Sequence, residues 1–332
     1  MKVTVLGAGA WGTAFGQVLA DAGNDVTMWA REPEIVEGIR DHHFNGVRLP
    51  SVKRLPENMT ATGDKAEAVR DARIIVVAIA AQHAREALEP FAPLIPGDAI
   101  VVSLMKGIER VSGKRMDEVV REALNGLPAG RFVAISGPNL SKEVAAREPS
   151  ATVVACEDID NAKTVAQACR TPYFKAFVTT DVIGVEMCGS LKNVVALAVG
   201  MARGAGYGEN TAAMIETRGL AELAALGKAA HAESKTFLGL AGVGDLIATC
   251  GSPLSRNYTF GANLGRGMSV EEATKVSNGV AEGVPTTEAV VRMGAELGVQ
   301  TPLASAMNDV LKRGLTCEQM LHELVKGDVT EE

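Results

Sequence analysis

The chain has 332 residues, 47% of them apolar and 22% charged, enough for two hydrophobic cores rather than one. A net charge of −7 and an isoelectric point near 5.4 argue against a nucleic-acid partner, so a phosphorylated ligand has to be held by a local cationic pocket. Cys156, Cys169, Cys188, Cys250 and Cys317 show neither CxxC nor Cys/His ligand spacing, which argues against a disulfide framework and a metal site and reads as buried thiols in a reducing compartment.

In chain order, the N-terminus runs straight into a strand, KVTVLG, without the pattern of an export signal, so a cytoplasmic place is expected. The runs DVTMWA, IIVVAIA, AIVVSLM and RFVAIS follow, separated by helical stretches over residues 12–22, 65–70, 84–88 and 114–123. This alternation predicts a parallel sheet with helices on its faces, reached by right-handed crossovers. ATVVAC and YFKAFVTT flank a helical stretch over 161–170 and are expected to extend the same sheet. After Asp181 the β-branched alternation fades and segments rich in Ala, Leu, Glu and Gly take over. The predicted fold is therefore α/β: an N-terminal Rossmann-type, doubly wound sheet domain over residues 1–181, then a mostly α-helical C-terminal domain over 182–332. The most apolar stretch, 182–202, is interrupted by Glu186, Lys192 and Asn193 and reads as a buried helix, with no membrane insertion.

The first strand is followed at once by Gly7, Gly9 and Gly12 in GAGAWG and then by a helix, the context that a dinucleotide-binding GxGxxG requires. Gly7 permits the tight turn, Gly9 lets a pyrophosphate approach the backbone, and Gly12 lets the helix sit close to the strand. The helix N-terminus then offers its N–H groups to the pyrophosphate. The second strand ends not on an acid but at Arg31, whose guanidinium can pair with a 2′-phosphate; NADP(H) is expected to bind at least as well as NAD(H). The adjoining Glu32 is able to serve a ribose instead.

Four Gly-rich or cationic segments qualify for substrate chemistry: SLMKGIE, SGPNLSKE, GSLKNVVALAVG and AGVGDLIATCGSPLSRNYTFG. Lys192 shares a helical face with Val185, Cys188, Val195, Ala196 and Val199. A buried ammonium has a depressed pKa and makes a proton donor near neutral pH, an effect that a nearby Lys106 reinforces. Replacing it by Ala is expected to leave the helix intact, since removal of a buried charge need not destabilise. Ser255, Arg256 and Asn257 follow Pro253 in a turn where backbone N–H groups, a guanidinium and an amide can converge on a phosphate. Asp245 orients Lys192, accepts from a substrate hydroxyl, or caps the turn that follows it.

Taken together and in order, GAGAWGTA, SLMKGIE, SGPNLSKEVA, LKNVVALAVG, GVGDLIATC, SPLSRNYTFG and VAEGVPTT resemble the bacterial-type NAD(P)-dependent glycerol-3-phosphate dehydrogenase family over nearly the whole chain. The resemblance implies reversible reduction of dihydroxyacetone phosphate to sn-glycerol 3-phosphate, feeding phospholipid synthesis, by a homodimer. It makes Lys192 the catalytic general acid and base, with Lys106, Gly137, Asn139, Asp245, Ser255, Arg256 and Asn257 around the substrate. Ala10, Trp11, Arg31, Ser141, Val280 and Glu282 fall at cofactor positions beside the glycines, as do Lys106 and Arg256. One departure stands out. Where the family commonly has SGPSFA or SGPTFA, this chain has SGPNLS, so Asn139 replaces a hydroxyl and Ser141 a small apolar residue. The rival readings are a two-domain ketoacid or hydroxyacid reductase, which shares the N-terminal turn but not the ordered GDL and SRN segments, and a nucleotide sensor without turnover.

Overall fold

The computed structural model describes residues 1–277 and 281–326. The chain divides into two compact units, Met1–Glu109 with Lys114–Glu186, and Arg110–Gly113 with the chain from Met187 onward. The first unit holds an eight-stranded sheet among the described residues, with strands β1 (Lys2–Leu6), β2 (Asp25–Trp29), β3 (Met59–Thr62), β4 (Ile74–Val77), β5 (Ile100–Ser103), β6 (Phe132–Ser136), β7 (Ser150–Ala155) and β8 (Phe174–Thr179) in the order β3-β2-β1-β4-β5-β6-β7-β8. Strands β4 and β5 are buried along their whole length, which is why they read as unbroken apolar runs. Its helices are α1 (Ala10–Asp21), α2 (Pro33–His42), α3 (Lys65–Val69), α4 (Ala84–Leu88), α5 (Met116–Ala123), α6 (Ser141–Ala145) and α7 (Ile159–Ala168).

The first six strands run parallel, whereas β7 pairs antiparallel with β6 and parallel with β8. ATVVAC and YFKAFVTT thus extend the sheet as expected, but in reversed direction. Between β6 and β7 the chain makes only the five-residue α6, which sits on α1 where Gln17 Nε2 donates to Ala145 O at 3.0 Å. So short a helix cannot return the chain to the far end of the sheet, as a parallel crossover demands. Helix α6, strand β3 and helix α2 went unread in the sequence. Strand β3 is only MTAT, too short to show a period. Helix α2 carries its signal openly, with Pro33 in the first turn and Ile35, Val36 and Ile39 buried on one face.

The long helix α8 (Val182–Gly204) begins in the first unit and passes into the second after Glu186. The second unit continues through α9 (Glu209–Ala229), α10 (Ser234–Phe237), α11 (Asp245–Cys250), α12 (Arg256–Gly265), α13 (Val270–Val276), α14 (Gly283–Leu297), α15 (Pro302–Arg313) and α16 (Cys317–Val325). By length and a mean hydropathy of 1.6, α8 is able to cross a membrane, yet 94% of its most apolar stretch is buried, the mark of a core helix. The five cysteines are buried and form no disulfide.

Helices α8 and α12 touch backbone to backbone through glycines four residues apart. A Cβ on Gly200 would lie 2.1 Å from Tyr258 O, and one on Gly204 2.1 Å from Ala262 O. Reciprocally, a Cβ on Gly261 would lie 2.0 Å from Leu197 O, and one on Gly265 2.0 Å from Met201 O. Any side chain at these four positions would therefore push the helices apart. This contact sets the register between the helix that carries Lys192 and the helix that opens with Arg256.

At the start of α8, Glu186 is buried; its Oε1 accepts from Asp117 N at 2.9 Å and its Oε2 lies 3.5 Å from Arg115 Nε. Burial, and then the neighbouring Asp117 carboxylate, push the Glu186 carboxyl well above the usual carboxylate range. Glu186 Oε2 and Asp117 Oδ1 are both buried without a hydrogen-bond partner, which a proton on Glu186 would remedy by donation to Asp117. The unfolded chain ionises Glu186 near its ordinary value whereas burial raises that value in the folded protein, so between the two the unfolded state binds fewer protons and stability falls as pH rises. Glu186→Gln mimics the neutral acid. Its thermal midpoint is expected to match or exceed that of the unsubstituted protein at pH 8 and to change less between pH 5 and pH 8. A loss of several degrees at pH 8 would show that the ionised carboxylate is required.

Candidate active site

Each unit carries its own constellation. In the first, the turn after β1 is built from the three glycines. Gly7 has φ +110°, and a Cβ there would lie 2.5 Å from Ala78 O; one on Gly12 would lie 2.2 Å from Gly7 O. Gly9 differs, since nothing stands within 4 Å of its Cβ position, which leaves open the space a pyrophosphate would fill. Helix α1 starts directly after Gly9 without a side-chain cap, so no side chain occupies its first N–H groups, at Ala10, Trp11 and Gly12. The three glycines thus fit a dinucleotide by the criterion of a cradle. Asn45, which the sequence reading passed over, ties the turn down: its buried Nδ2 donates to Ala8 O at 3.0 Å and to Thr13 Oγ1 at 2.8 Å. Arg31 is exposed two residues beyond β2, and the neighbouring Glu32 lies 3.6 Å from Arg48.

Lys106 follows β5, and its ammonium donates to Gly137 O at 3.2 Å, so SLMKGIE and SGPNLSKE meet. The chain just beyond Lys106 is anchored by Gln82 Nε2 on Ile108 O at 2.8 Å and by a two-pronged Arg85–Glu109 pair at 3.0 Å each. Asn139 Nδ2 donates to Ala151 O at 3.0 Å, while its Oδ1 accepts from Thr152 Oγ1 at 2.8 Å. Ser141 opens α6.

In the second unit, Lys192 is 4% exposed and its Nζ lies 3.0 Å from Asp245 Oδ1, which is itself 2% exposed. The ammonium is thus held inside the unit and does not reach solvent along the helix surface. Asp245 is not a cap: the cap position of α11 belongs to Gly244, and the carboxylate serves the lysine. Thr249, one turn further along α11, accepts from Lys192 Nζ at 2.5 Å and donates to Asp245 O at 2.6 Å. No motif singled out Thr249, although its position four residues after Asp245 on a helix is a signal that was there to read. The buried ammonium is therefore compensated rather than isolated, and removing it would strand the Asp245 carboxylate. The expectation that Lys192→Ala costs no stability is corrected on that ground.

Ser255 caps α12, its Oγ accepting from Tyr258 N at 3.2 Å, and Arg256 stands exposed as the first residue of that helix. Asn257 is 8% exposed; its Oδ1 accepts from Gly283 N at 2.8 Å and its Nδ2 donates to Asn193 Oδ1 at 2.9 Å. This amide relay joins α8, α12 and the start of α14, leaving Asn257 one N–H for a ligand. Glu282 immediately precedes α14. Val280 lies outside the described residues. Among the described residues no cluster of metal-ligating side chains occurs.

The sequence model of the NAD-dependent glycerol-3-phosphate dehydrogenase N-terminus matches residues 2–162, and that of the C-terminus of the same family matches residues 181–322. The chain is 76% identical over 331 residues to a glycerol-3-phosphate dehydrogenase of Bifidobacterium longum (strain DJO10A), covering 100% of this chain and 99% of the relative. It is 47% identical to one from Corynebacterium aurimucosum, covering 98% and 97%. The crystal structure of glycerol-3-phosphate dehydrogenase from Coxiella burnetii superimposes with a TM-score of 0.92 at 32% identity, covering 98% of this chain and 99% of that one. A glycine cradle, a buried Lys–Asp pair and full-length matches in both halves agree, and the chain belongs to the NAD-dependent glycerol-3-phosphate dehydrogenase family.

Proposed function

We propose that this chain is an NAD(P)-dependent sn-glycerol-3-phosphate dehydrogenase, reducing dihydroxyacetone phosphate to sn-glycerol 3-phosphate and running the reverse reaction. The observation that carries the reading is the buried Lys192 ammonium, held 3.0 Å from Asp245 and hydrogen-bonded to Thr249, in a chain of this family. A nucleotide sensor has no use for so costly a pair, and a hydroxyacid reductase has none for the phosphate-type turn at Ser255 and Arg256.

The nicotinamide, when bound, exchanges a hydride with the carbonyl carbon of the substrate. Lys192 Nζ donates its proton to the forming alkoxide and takes it back in the oxidative direction. Asp245 and Thr249 fix the position of Nζ, so that little reorganisation is needed when charge develops. Ser255 has spent an acceptor site on Tyr258 N–H and keeps its own proton for a phosphate oxygen. The Arg256 guanidinium and the first N–H groups of α12 suit the phosphate dianion, a grip remote from the reacting carbon that orients it. Lys106, the Gly137 backbone and the free N–H of Asn257 complete the substrate set. Gly7, Gly9, Ala10, Trp11 and Gly12 cradle the dinucleotide, and Ser141, Val280 and Glu282 join Lys106 and Arg256 as further contacts to it. Arg31 serves a 2′-phosphate, with Glu32 drawn toward Arg48. The assembly is a homodimer, and the enzyme works in the cytoplasm to supply glycerol phosphate for phospholipid synthesis.

The test is an absorbance assay of the purified protein with NADPH or NADH. Dihydroxyacetone phosphate should drive oxidation of the nucleotide, and unphosphorylated dihydroxyacetone at the same concentration should be slower by about two orders of magnitude or more, since the oriented phosphate grip is lost. Equal rates with both ketones would place the specificity elsewhere, and no turnover with either would leave the sensor reading standing.

A further inference from the structure

The SGPNLS departure has a partner thirteen residues away. Thr152, fully buried on β7, directs its hydroxyl at Asn139 Oδ1 at 2.8 Å and lies 3.1 Å from Ser136 O. The Asn139 amide group donates to Ala151 O at 3.0 Å and to Pro138 O at 3.1 Å. Both N–H bonds of the side chain and one lone pair of its oxygen are thus spent on the first unit's own backbone and on Thr152. The loop lies flat on β7, since a Cβ on Gly137 would stand 3.0 Å from Thr152 Cα and 3.2 Å from Ala151 O. The carbonyl so immobilised, Gly137 O, is the one that receives the Lys106 ammonium at 3.2 Å.

We propose that Asn139 and Thr152 form a positioning pair that holds the Gly137 carbonyl and through it the Lys106 ammonium, in place of a direct contact between Asn139 and the substrate. An amide at position 139 offers a donor and an acceptor on separate atoms of one rigid plane, whereas a Ser or Thr hydroxyl has to do both through a single oxygen. The pair therefore belongs to this version of the loop, and Thr152 acquires its role only because residue 139 is Asn. The inference rests on the dehydrogenase reading and on Lys106 as a substrate contact.

Thr152→Val keeps the volume of the buried side chain and deletes the hydroxyl. It is expected to lower kcat/KM for dihydroxyacetone phosphate about tenfold, the worth of one hydrogen bond to a group that aims a charge, mostly through KM. NADPH affinity should fall less than substrate affinity, because Lys106 is one of many contacts to the dinucleotide and the glycine cradle is untouched. Thr152→Ser retains the hydroxyl and should restore near-normal kinetics. Calorimetric titration of glycerol 3-phosphate into the NADP-bound protein supplies the readout that a structural role would not move. In the unsubstituted background Thr152→Val weakens binding, whereas in a Lys106→Ala background it adds less than about twofold, because the positioned group is already gone. An equal penalty in both backgrounds, or a Thr152→Val enzyme within about twofold of its parent, would overturn the pair. Failure of the dehydrogenase reading itself would show separately, as an inactive parent protein in the same assay.

Discussion

Lys192→Ala is expected to lower turnover by at least about two to four orders of magnitude, the range for losing a positioned proton donor, with NADPH binding within a few-fold of the parent. Nothing in the glycine cradle of the first unit depends on that side chain. Stability is a separate matter. The substitution leaves the Asp245 carboxylate, 2% exposed, without its cation, and breaking such a pair costs about 3–5 kcal/mol unless the acid takes up a proton. Lys192→Ala/Asp245→Asn removes both charges and should recover most of the lost stability while staying inactive. That combination separates chemistry from folding: an inactive, stable double variant with intact NADPH binding supports Lys192 as the acid. Turnover within tenfold of the parent, in either variant, would sink the assignment. An inactive double variant that has also lost NADPH binding would mean that Lys192 is structural and that the acid must be sought at Lys106.

Gly261→Ala should cost stability out of proportion to one methyl group. Its Cβ would meet Leu197 O at 2.0 Å and Met201 N at 3.0 Å, main-chain atoms of a buried helix that cannot swing aside. Ala favours a helix over Gly by about 1 kcal/mol, but overpacking costs about 1–3 kcal/mol where side chains can yield and about 4 kcal/mol against backbone that cannot, so a net loss of about 3 kcal/mol is expected. In a unit of this size that corresponds to a fall in thermal midpoint on the order of 10 °C. The loss should be markedly less than additive with Gly204→Ala on the facing helix, since one intruding methyl already separates the pair. Gly208→Ala, with nothing within 4 Å of its Cβ, is the control and should move the midpoint little. Turnover should fall with Gly261→Ala as well, because the shift carries Asn257 away from Asn193 and Arg256 with it. A midpoint within about 2 °C of the parent would mean that α8 and α12 do not cross as closely as described.

What the sequence determined by itself is what short-range geometry can carry. Strands such as β4 and β5 were legible because burial on both faces leaves continuous apolar runs, and the nucleotide turn because Gly7, Gly9 and Gly12 meet their constraints within one strand–turn–helix unit. Lys192 stood out as a charge on an apolar helical face, which needs only the 3.6-residue period to see. The tertiary structure alone decided who answers that charge. Asp245 as the partner of the lysine was one of several readings its segment allowed, and Thr249 showed only a helical spacing from Asp245; both lie more than fifty residues beyond Lys192, and packing decided that they meet it. They reach the lysine because packed helices set the register of the unit, as the Gly200, Gly204, Gly261 and Gly265 contacts do for α8 and α12. The reversal of β7 and the pairing of Asn139 with Thr152 belong to the same class. A strand's direction depends on whether the preceding segment can span the sheet, and a buried amide's partner depends on which strand lies under it; neither distance exists until the chain has packed.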